Sequence, residues 1–450
     1  MLKKTKKISP IAILLACLLV NAGICAANGS RTDNLPIRVH LVLSKVHPLL
    51  RDEKYAEAAK ILEAFTAKGN SAENTGKTNG KGFYHPEVFF TLGNCYLLME
   101  HYPQAAAAYR RAVAKDASHT AAWLNLGRSA YELSRLSEAG HCFARAYETA
   151  EKKKPEHLYY SALSYLMADD HEKSLKLFDR LLDEHPQAMK PEWKENLVHA
   201  LLAAKQPRRA LAYIRELADH YTGEKQQQWQ EILLYQYIQL EMKQEALALA
   251  RKLTREAPEV EKWWKALANI HLNEGRYEEA LAALLTYNFL TPLNKQEKKL
   301  IADLSLELGI PIKAAPIYED CLKTDPEKKL LRRLALAYRQ LGRPEKALER
   351  IRAFAGTPGD ADSDVDLLLL AAELHYALEQ YEKAAAAYRR AARQKGDHSG
   401  RAWLMAGYAA WQIDNFDASR QAFDRAAGYK SQKKAAQKAL RKLNSVMRNQ

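Results

Sequence analysis

Hydrophobic positions in this chain recur at helical spacing, in short runs that repeat. From residue 86 the chain reads Pro-Glu-Val-Phe-Phe-Thr-Leu-Gly-Asn-Cys-Tyr, and from residue 120 it reads Thr-Ala-Ala-Trp-Leu-Asn-Leu-Gly-Arg-Ser-Ala. Counted from the first residue of each run, an aromatic side chain, Leu and Gly recur at places 4, 7 and 8: Phe89/Trp123, Leu92/Leu126 and Gly93/Gly127. Further on, Ala105/Ala139, Tyr109/Phe143 and Ala112/Ala146 recur at places 20, 24 and 27. Spacings of three and four predict two helices per 34-residue unit. The register extends to units beginning near residues 39, 86, 120, 155, 191, 227, 261, 295, 328, 365 and 400. Place 20 is Ala in nine of these, and Ser174 and Ser419 in the others. Small residues at places 8, 20 and 27 let two antiparallel helices approach, while large ones at 4, 7, 11 and 24 fill the groove between them. Pro186, Pro258, Pro292 and Pro326 fall at place 32, and Gly275, Gly309 and Gly342 at the turn inside a unit, as helix stops require.

This helix–turn–helix grammar resembles the tetratricopeptide repeat. The resemblance implies an all-α fold, an α-solenoid of about eleven units forming a right-handed superhelix. Residues 27–65 are read as a linker and degenerate first repeat. Residues 66–85, with Gly69, Gly76, Gly80 and Gly82, are read as a flexible loop that separates it from an array over 86–430. A shorter loop is expected over 356–364, where Gly356, Pro358, Gly359 and several aspartates cluster. Residues 431–450 read as a basic amphipathic helix that caps the array; contact of its charge with anionic lipid is the alternative.

Composition agrees with a globular, helix-prone chain: of 450 residues 47% are hydrophobic and 27% charged, with only 19 Gly and 16 Pro. The first 26 residues stand apart. Lys3, Lys4, Lys6 and Lys7 precede the apolar run Ile11–Val20 and the small residues around Ala26, the three parts of a secretory signal. An exported, periplasmic protein cleaved near Ala26 is expected; lipidation at Cys17 or Cys25, giving an outer-membrane lipoprotein, is the rival reading. Cleavage removes four lysines and no acid, lowering the formal charge from +14 to +10. It leaves Cys95, Cys142 and Cys321, an odd set without CxxC spacing, whose expected role is apolar packing; a Cys95–Cys142 bridge is the alternative.

Signals of catalysis are absent. Gly76-Lys77-Thr78 lacks the first glycine of a phosphate loop, since Ser71 stands there. No HExxH, GxSxG or CxxC occurs. Histidines such as His199 and His271 read as packing residues, and Asp169-Asp170 as a solvated turn. Neither enzyme, cofactor nor metal is expected. The pI near 9.3 suggests nucleic acid, but export and the alternation of Lys with Glu along most helices argue against it.

Arrays of the tetratricopeptide type bind proteins or peptides along a concave groove lined by the first helix of each unit, so the resemblance implies a non-catalytic scaffold. Three segments, Gly309 to Glu319, Ala418 to Phe423 and Ser431 to Leu440, look like periplasmic repeat proteins that accompany TonB–ExbB–ExbD systems. That likeness implies an accessory partner of TonB, ExbB or ExbD, with membrane contact only through partners or a lipid anchor. Two alternatives stay open: an assembly factor for another envelope machine, such as polysaccharide export or a pilus, and a binder of peptidoglycan or a small ligand.

Places 2, 5, 9 and 12 of the first helices are the groove positions. They include Glu156, Tyr159, Glu192, Glu195, Glu231 and Tyr235 in the middle units, then Lys262, Lys265, Lys299, Lys329, Arg332 and Arg339 further on. A groove acidic in the middle and basic toward the C-terminal third is expected, which would orient an elongated partner. Lys265, Asn269, Lys329 and Arg333 also match most of the positions with which related repeat proteins clamp a C-terminal carboxylate, Leu300 replacing one Asn. At the N-terminal end Asn94 and Asn125 match the same pattern, but Phe90 stands where it requires Lys.

Overall fold

A computed structural model describes residues 35–74, 82–324, 326–355, 364–394 and 396–448. The expected signal segment with Cys17 and Cys25, Gly76-Lys77-Thr78 and residues 356–363 lie outside the described residues. Within them every regular element is a helix, and the chain divides into two compact units, residues 1–240 and 241–450.

The first unit holds α1 (Ile37–Arg51), α2 (Tyr55–Asn74), α3 (Pro86–Leu98), α4 (Tyr102–Lys115), α5 (Thr120–Glu132), α6 (Leu136–Thr149), α7 (Pro155–Met167), α8 (His171–Glu184), α9 (Pro191–Ala203), α10 (Pro207–His220) and α11 (Gly223–Gln239). The second holds α12 (Lys243–Glu256), α13 (Glu261–Asn273), α14 (Tyr277–Leu290), α15 (Lys295–Glu307), α16 (Pro311–Thr324), α17 (Lys328–Gln340) and α18 (Pro344–Ala355). It continues with α19 (Val365–Ala377), α20 (Tyr381–Arg393), α21 (Ser399–Trp411), α22 (Phe416–Ala427) and α23 (Lys433–Arg448). Each unit is a run of α-solenoid in which consecutive helices pack on one another.

The repeat register is written in the backbone. Place 15 of every one of the eleven units has a positive φ between 55° and 71°: Glu53, Glu100, Ser134, Asp169, Lys205, Glu241, Gly275, Gly309, Gly342, Glu379 and Asp414. A left-handed residue just past a helix lets the next amide reach back to a free carbonyl. His101 N donates to Tyr96 O at 2.9 Å and Arg135 N to Ala130 O at 2.8 Å in this way. Glycine is the residue that adopts this conformation without strain, yet only three units use it.

Side-chain volume explains the rest of the pattern. A Cβ on Gly93 would lie 2.5 Å from the Tyr109 ring, and one on Gly127 would lie 2.8 Å from the Phe143 ring. In these two repeats place 8 is glycine because the aromatic ring at place 24 lies against it. Ala105, Ala139 and Ala280 at place 20 are fully buried.

Two sequence expectations are corrected. Residues 66–74 are not loop: α2 continues through Asn74, and Gly69 is small because Phe83 approaches it, a Cβ there lying 2.7 Å from the Phe83 Cβ. The first pair is not detached either, since Val39, Val46, Ala58 and Leu62 share one core with Val88, Leu92 and Cys95. The cysteines pack as the sequence led one to expect: Cys95, Cys142 and Cys321 are free and buried, so the alternative Cys95–Cys142 bridge does not form, and burial pushes the Cys95 and Cys142 thiols up to about 12.

Candidate functional site

The first helices of successive pairs in the second unit set their charged places side by side. In α17, Leu330, Leu331, Leu334, Ala335 and Ala337 are buried, which leaves Arg332, Leu336 and Arg339 along the opposite side. The next first helix, α19, starts from Asp364, whose carboxylate accepts the backbone N–H groups of Asp366 and Leu367. Asp366 pairs with Arg332, and Glu373 Oε2 accepts from Arg339 Nη1 at 2.9 Å. Between the two pairs lies a recess of about 310 Å³, floored by Leu336, Leu369 and Leu370.

The same arrangement recurs earlier in this unit. Lys265 Nζ donates to Glu297 Oε1 at 2.6 Å and sits 5.3 Å from the Tyr287 ring. Hydrogen bonding to Glu297 raises the Lys265 ammonium above its ordinary value. Burial works against the Glu297 charge, but Lys265 and the Asn294 amide outweigh it and hold the carboxyl below its usual range. Lys299 Nζ reaches Glu327 Oε1 at 3.1 Å. Arg333 donates to Glu307 at 2.7 Å and lies 3.7 Å from Asp303, which raises the guanidinium further.

These contacts change the expected charge division. Lys265, Lys299, Arg332, Arg333 and Arg339 do not form a bare basic groove; each faces a carboxylate from a neighbouring helix or from the residue that starts one. Lys329 and Asn269 are exposed and Lys262 is half-buried over the Trp263 ring at 4.5 Å. Two cations proposed for a carboxylate clamp, Lys265 and Arg333, already hold carboxylates of this chain. The partner acids Glu297, Glu327, Asp366 and Glu373 were missed. A signal existed: Arg332 with Asp366 and Arg339 with Glu373 are opposite charges 34 residues apart.

In the first unit Tyr159 is not a groove residue. It is buried, stacked on Trp193 with centroids 4.3 Å apart, and its hydroxyl accepts from Asn196 Nδ2 at 2.9 Å. Glu195 Oε1 accepts from Tyr221 Oη at 2.5 Å and from Lys225 Nζ at 2.6 Å. Glu156 is half-buried, while Glu192, Glu231 and Tyr235 are exposed. Asn94 and Asn125 do come together: Asn94 Oδ1 accepts from Asn125 Nδ2 at 3.0 Å and from Tyr109 Oη at 2.7 Å. Among the described residues no group of three or more His, Cys, Asp or Glu is placed to hold a metal ion. His199 and His271 are held below the usual imidazole value, first of all by burial.

Comparison with known proteins identifies the repeat. One tetratricopeptide-repeat family model matches residues 90–143, 237–293 and 369–439, and a second matches 158–188. No curated protein matches the chain in sequence. Among solved structures, the MamA protein is 15% identical, the match covering 39% of this chain and 94% of that one, with a TM-score of 0.34. Yeast Tom70 is 13% identical over 91% and 96% of the two chains, with a TM-score of 0.30. A tetratricopeptide repeat protein from Parabacteroides merdae is 13% identical over 56% and 98%, with a TM-score of 0.31.

Proposed function

We propose that this array of tetratricopeptide repeats is a scaffold that binds a protein or peptide partner along the first-helix face of its second unit. The observation that carries the reading is the recess between α17 and α19. Its floor of Leu336, Leu369 and Leu370 is apolar, and its rim is two arginine–carboxylate pairs. A floor of that kind rewards insertion of an apolar side chain by about 25 cal/mol per Å² removed from water. The rim pairs fix orientation, because exposed ion pairs exchange partners at little cost. The face is a binding surface and not a reaction centre in this reading: the recess has no His, Cys, Ser or Lys in its lining, and Asp366 and Glu373 are both paired.

The cellular setting proposed is the envelope. It rests on the sequence: the leader ending near Ala26, and the three segments that resemble the accessory repeat proteins of TonB–ExbB–ExbD systems.

A photo-crosslinking residue at Leu369 in intact cells tests the proposal, with the same residue at Lys346 on α18 as the control. The reading requires a discrete protein adduct from Leu369 that is missing from Lys346. Equal labelling from both positions, or none from Leu369, would remove it.

A further inference from the structure

The C-terminal helix has a charge pattern that capping does not require. From Lys430 to Arg448 there are seven cations, Lys430, Lys433, Lys434, Lys438, Arg441, Lys442 and Arg448, and no Asp or Glu follows Asp424. All seven are exposed, and none forms an ion pair among the described residues. Elsewhere on this chain many cations meet a carboxylate, as the half-buried Arg180 and Lys265 and the exposed Arg209 and Arg339 do.

Helix geometry gathers the charge on one side. Ala436, Ala439 and Leu443 are buried in the same core as Ala422, Phe423 and Ala426 of α22. At about 100° per residue, Lys434, Lys438, Arg441 and Arg448 share an arc of about 80° opposite that buried face. The stripe they make is about 21 Å long at about 1.5 Å per residue. A cap needs a polar outer face of either sign; a face of one sign only is a separate feature.

We infer that this stripe docks the protein on an anionic phospholipid surface. The apolar side of α23 is already spent on α22, so the helix has nothing to insert, and no described helix is long and apolar enough to cross a membrane. Attraction is then electrostatic and peripheral, and each Lys or Arg near an anionic bilayer adds to it. The cations lie along the ridge of a helix, a convex line of charge and not a pocket. A plane of diffuse negative charge fits that shape better than a folded acidic partner.

The test is flotation of the full chain with phosphatidylcholine vesicles, with and without phosphatidylglycerol. Three proteins are compared: the parent, the stripe variant Lys434→Gln/Lys438→Gln/Arg441→Gln/Arg448→Gln, and a control of equal charge loss, Lys45→Gln/Lys54→Gln/Lys60→Gln/Lys68→Gln. The leader is common to all three. Binding to phosphatidylglycerol vesicles is expected to fall about tenfold or more in the stripe variant, to stay near the parent's in the control, and to fall steeply with salt. Matching thermal unfolding of parent and stripe variant excludes loss of the cap. Equal lipid binding by all three proteins would overturn the inference. So would equal losses in stripe variant and control, which would mean that net charge alone sets binding. Binding by the parent to an acidic protein or nucleic acid but not to anionic vesicles would overturn it as well.

Discussion

Arg339 Nη1 lies 2.9 Å from Glu373 Oε2, and 34 residues separate them. The contact joins the first helices of two successive pairs across the mouth of the recess. Both side chains are substantially exposed, 47% and 39%, so water competes for each and the pair holds little energy. A double-mutant cycle with Arg339→Ala and Glu373→Ala is expected to give a coupling of about 0.2–1 kcal/mol by denaturant unfolding. A coupling several times larger would mean a rigid strut and not an exchangeable rim.

The left-handed turn positions predict stabilising substitutions. Glu100 and Lys205 have φ of 57°, where a Cβ is strained and glycine is not. Glu100→Gly and Lys205→Gly are each expected to raise stability by about 0.5–1 kcal/mol. Glycine at these places normally costs chain entropy, so a loss of stability would show that the strain is already relieved locally.

Close packing predicts the opposite sign at places 8 and 20. Gly127→Ala pushes a methyl group into the Phe143 ring, and Ala280→Leu overfills a fully buried site. Each is expected to cost about 1–3 kcal/mol in thermal or denaturant unfolding. An unchanged midpoint for Ala280→Leu would contradict the register assigned to that pair.

Histidines predict an acid limb. His85 Nδ1 accepts the Glu87 N–H at the start of α3, a role that only the neutral ring can fill. Burial holds its pKa below 6.5, against the opposing pull of Glu87 and Asp116 and with a small further lowering from His119. His157, His199, His271 and His375 are lowered in the same direction, again chiefly by burial. Above pH 6.5 both folded and unfolded chains hold these rings neutral. Below it the unfolded chain takes up protons first, so stability falls as pH drops toward the folded values. The melting temperature is expected to decline from about pH 6.5 downward, and His85→Asn, which keeps a capping acceptor, to decline less steeply. A flat profile over that range would contradict the assignment.

Much of the fold was legible because the constraint is volumetric and local. Gly93 with Tyr109, and Gly127 with Phe143, are pairs within one unit, and a 34-residue register shows them directly. The α2 extension was not legible, because Gly69 signals a loop in sequence but marks the close approach of Phe83 in the structure. The candidate site was half legible. Place numbering found Arg332 and Arg339, yet it treated each cation alone. Their carboxylates lie two helices on, on α19, and a net-charge reading of one helix cannot see them. Tyr159 failed for a related reason: a neighbouring Trp193 covers it, and coverage depends on the next pair.

The central claim, partner binding at the first-helix face of the second unit, is most directly tested by the affinity of the partner captured through Leu369. Titration calorimetry would compare the parent with Leu369→Gln on the recess floor and Lys346→Gln on α18, each first shown to unfold at the parent temperature. The expected result is affinity reduced by about tenfold or more for Leu369→Gln, from lost apolar burial, and unchanged for Lys346→Gln. Equal affinity of all three proteins would contradict the claim.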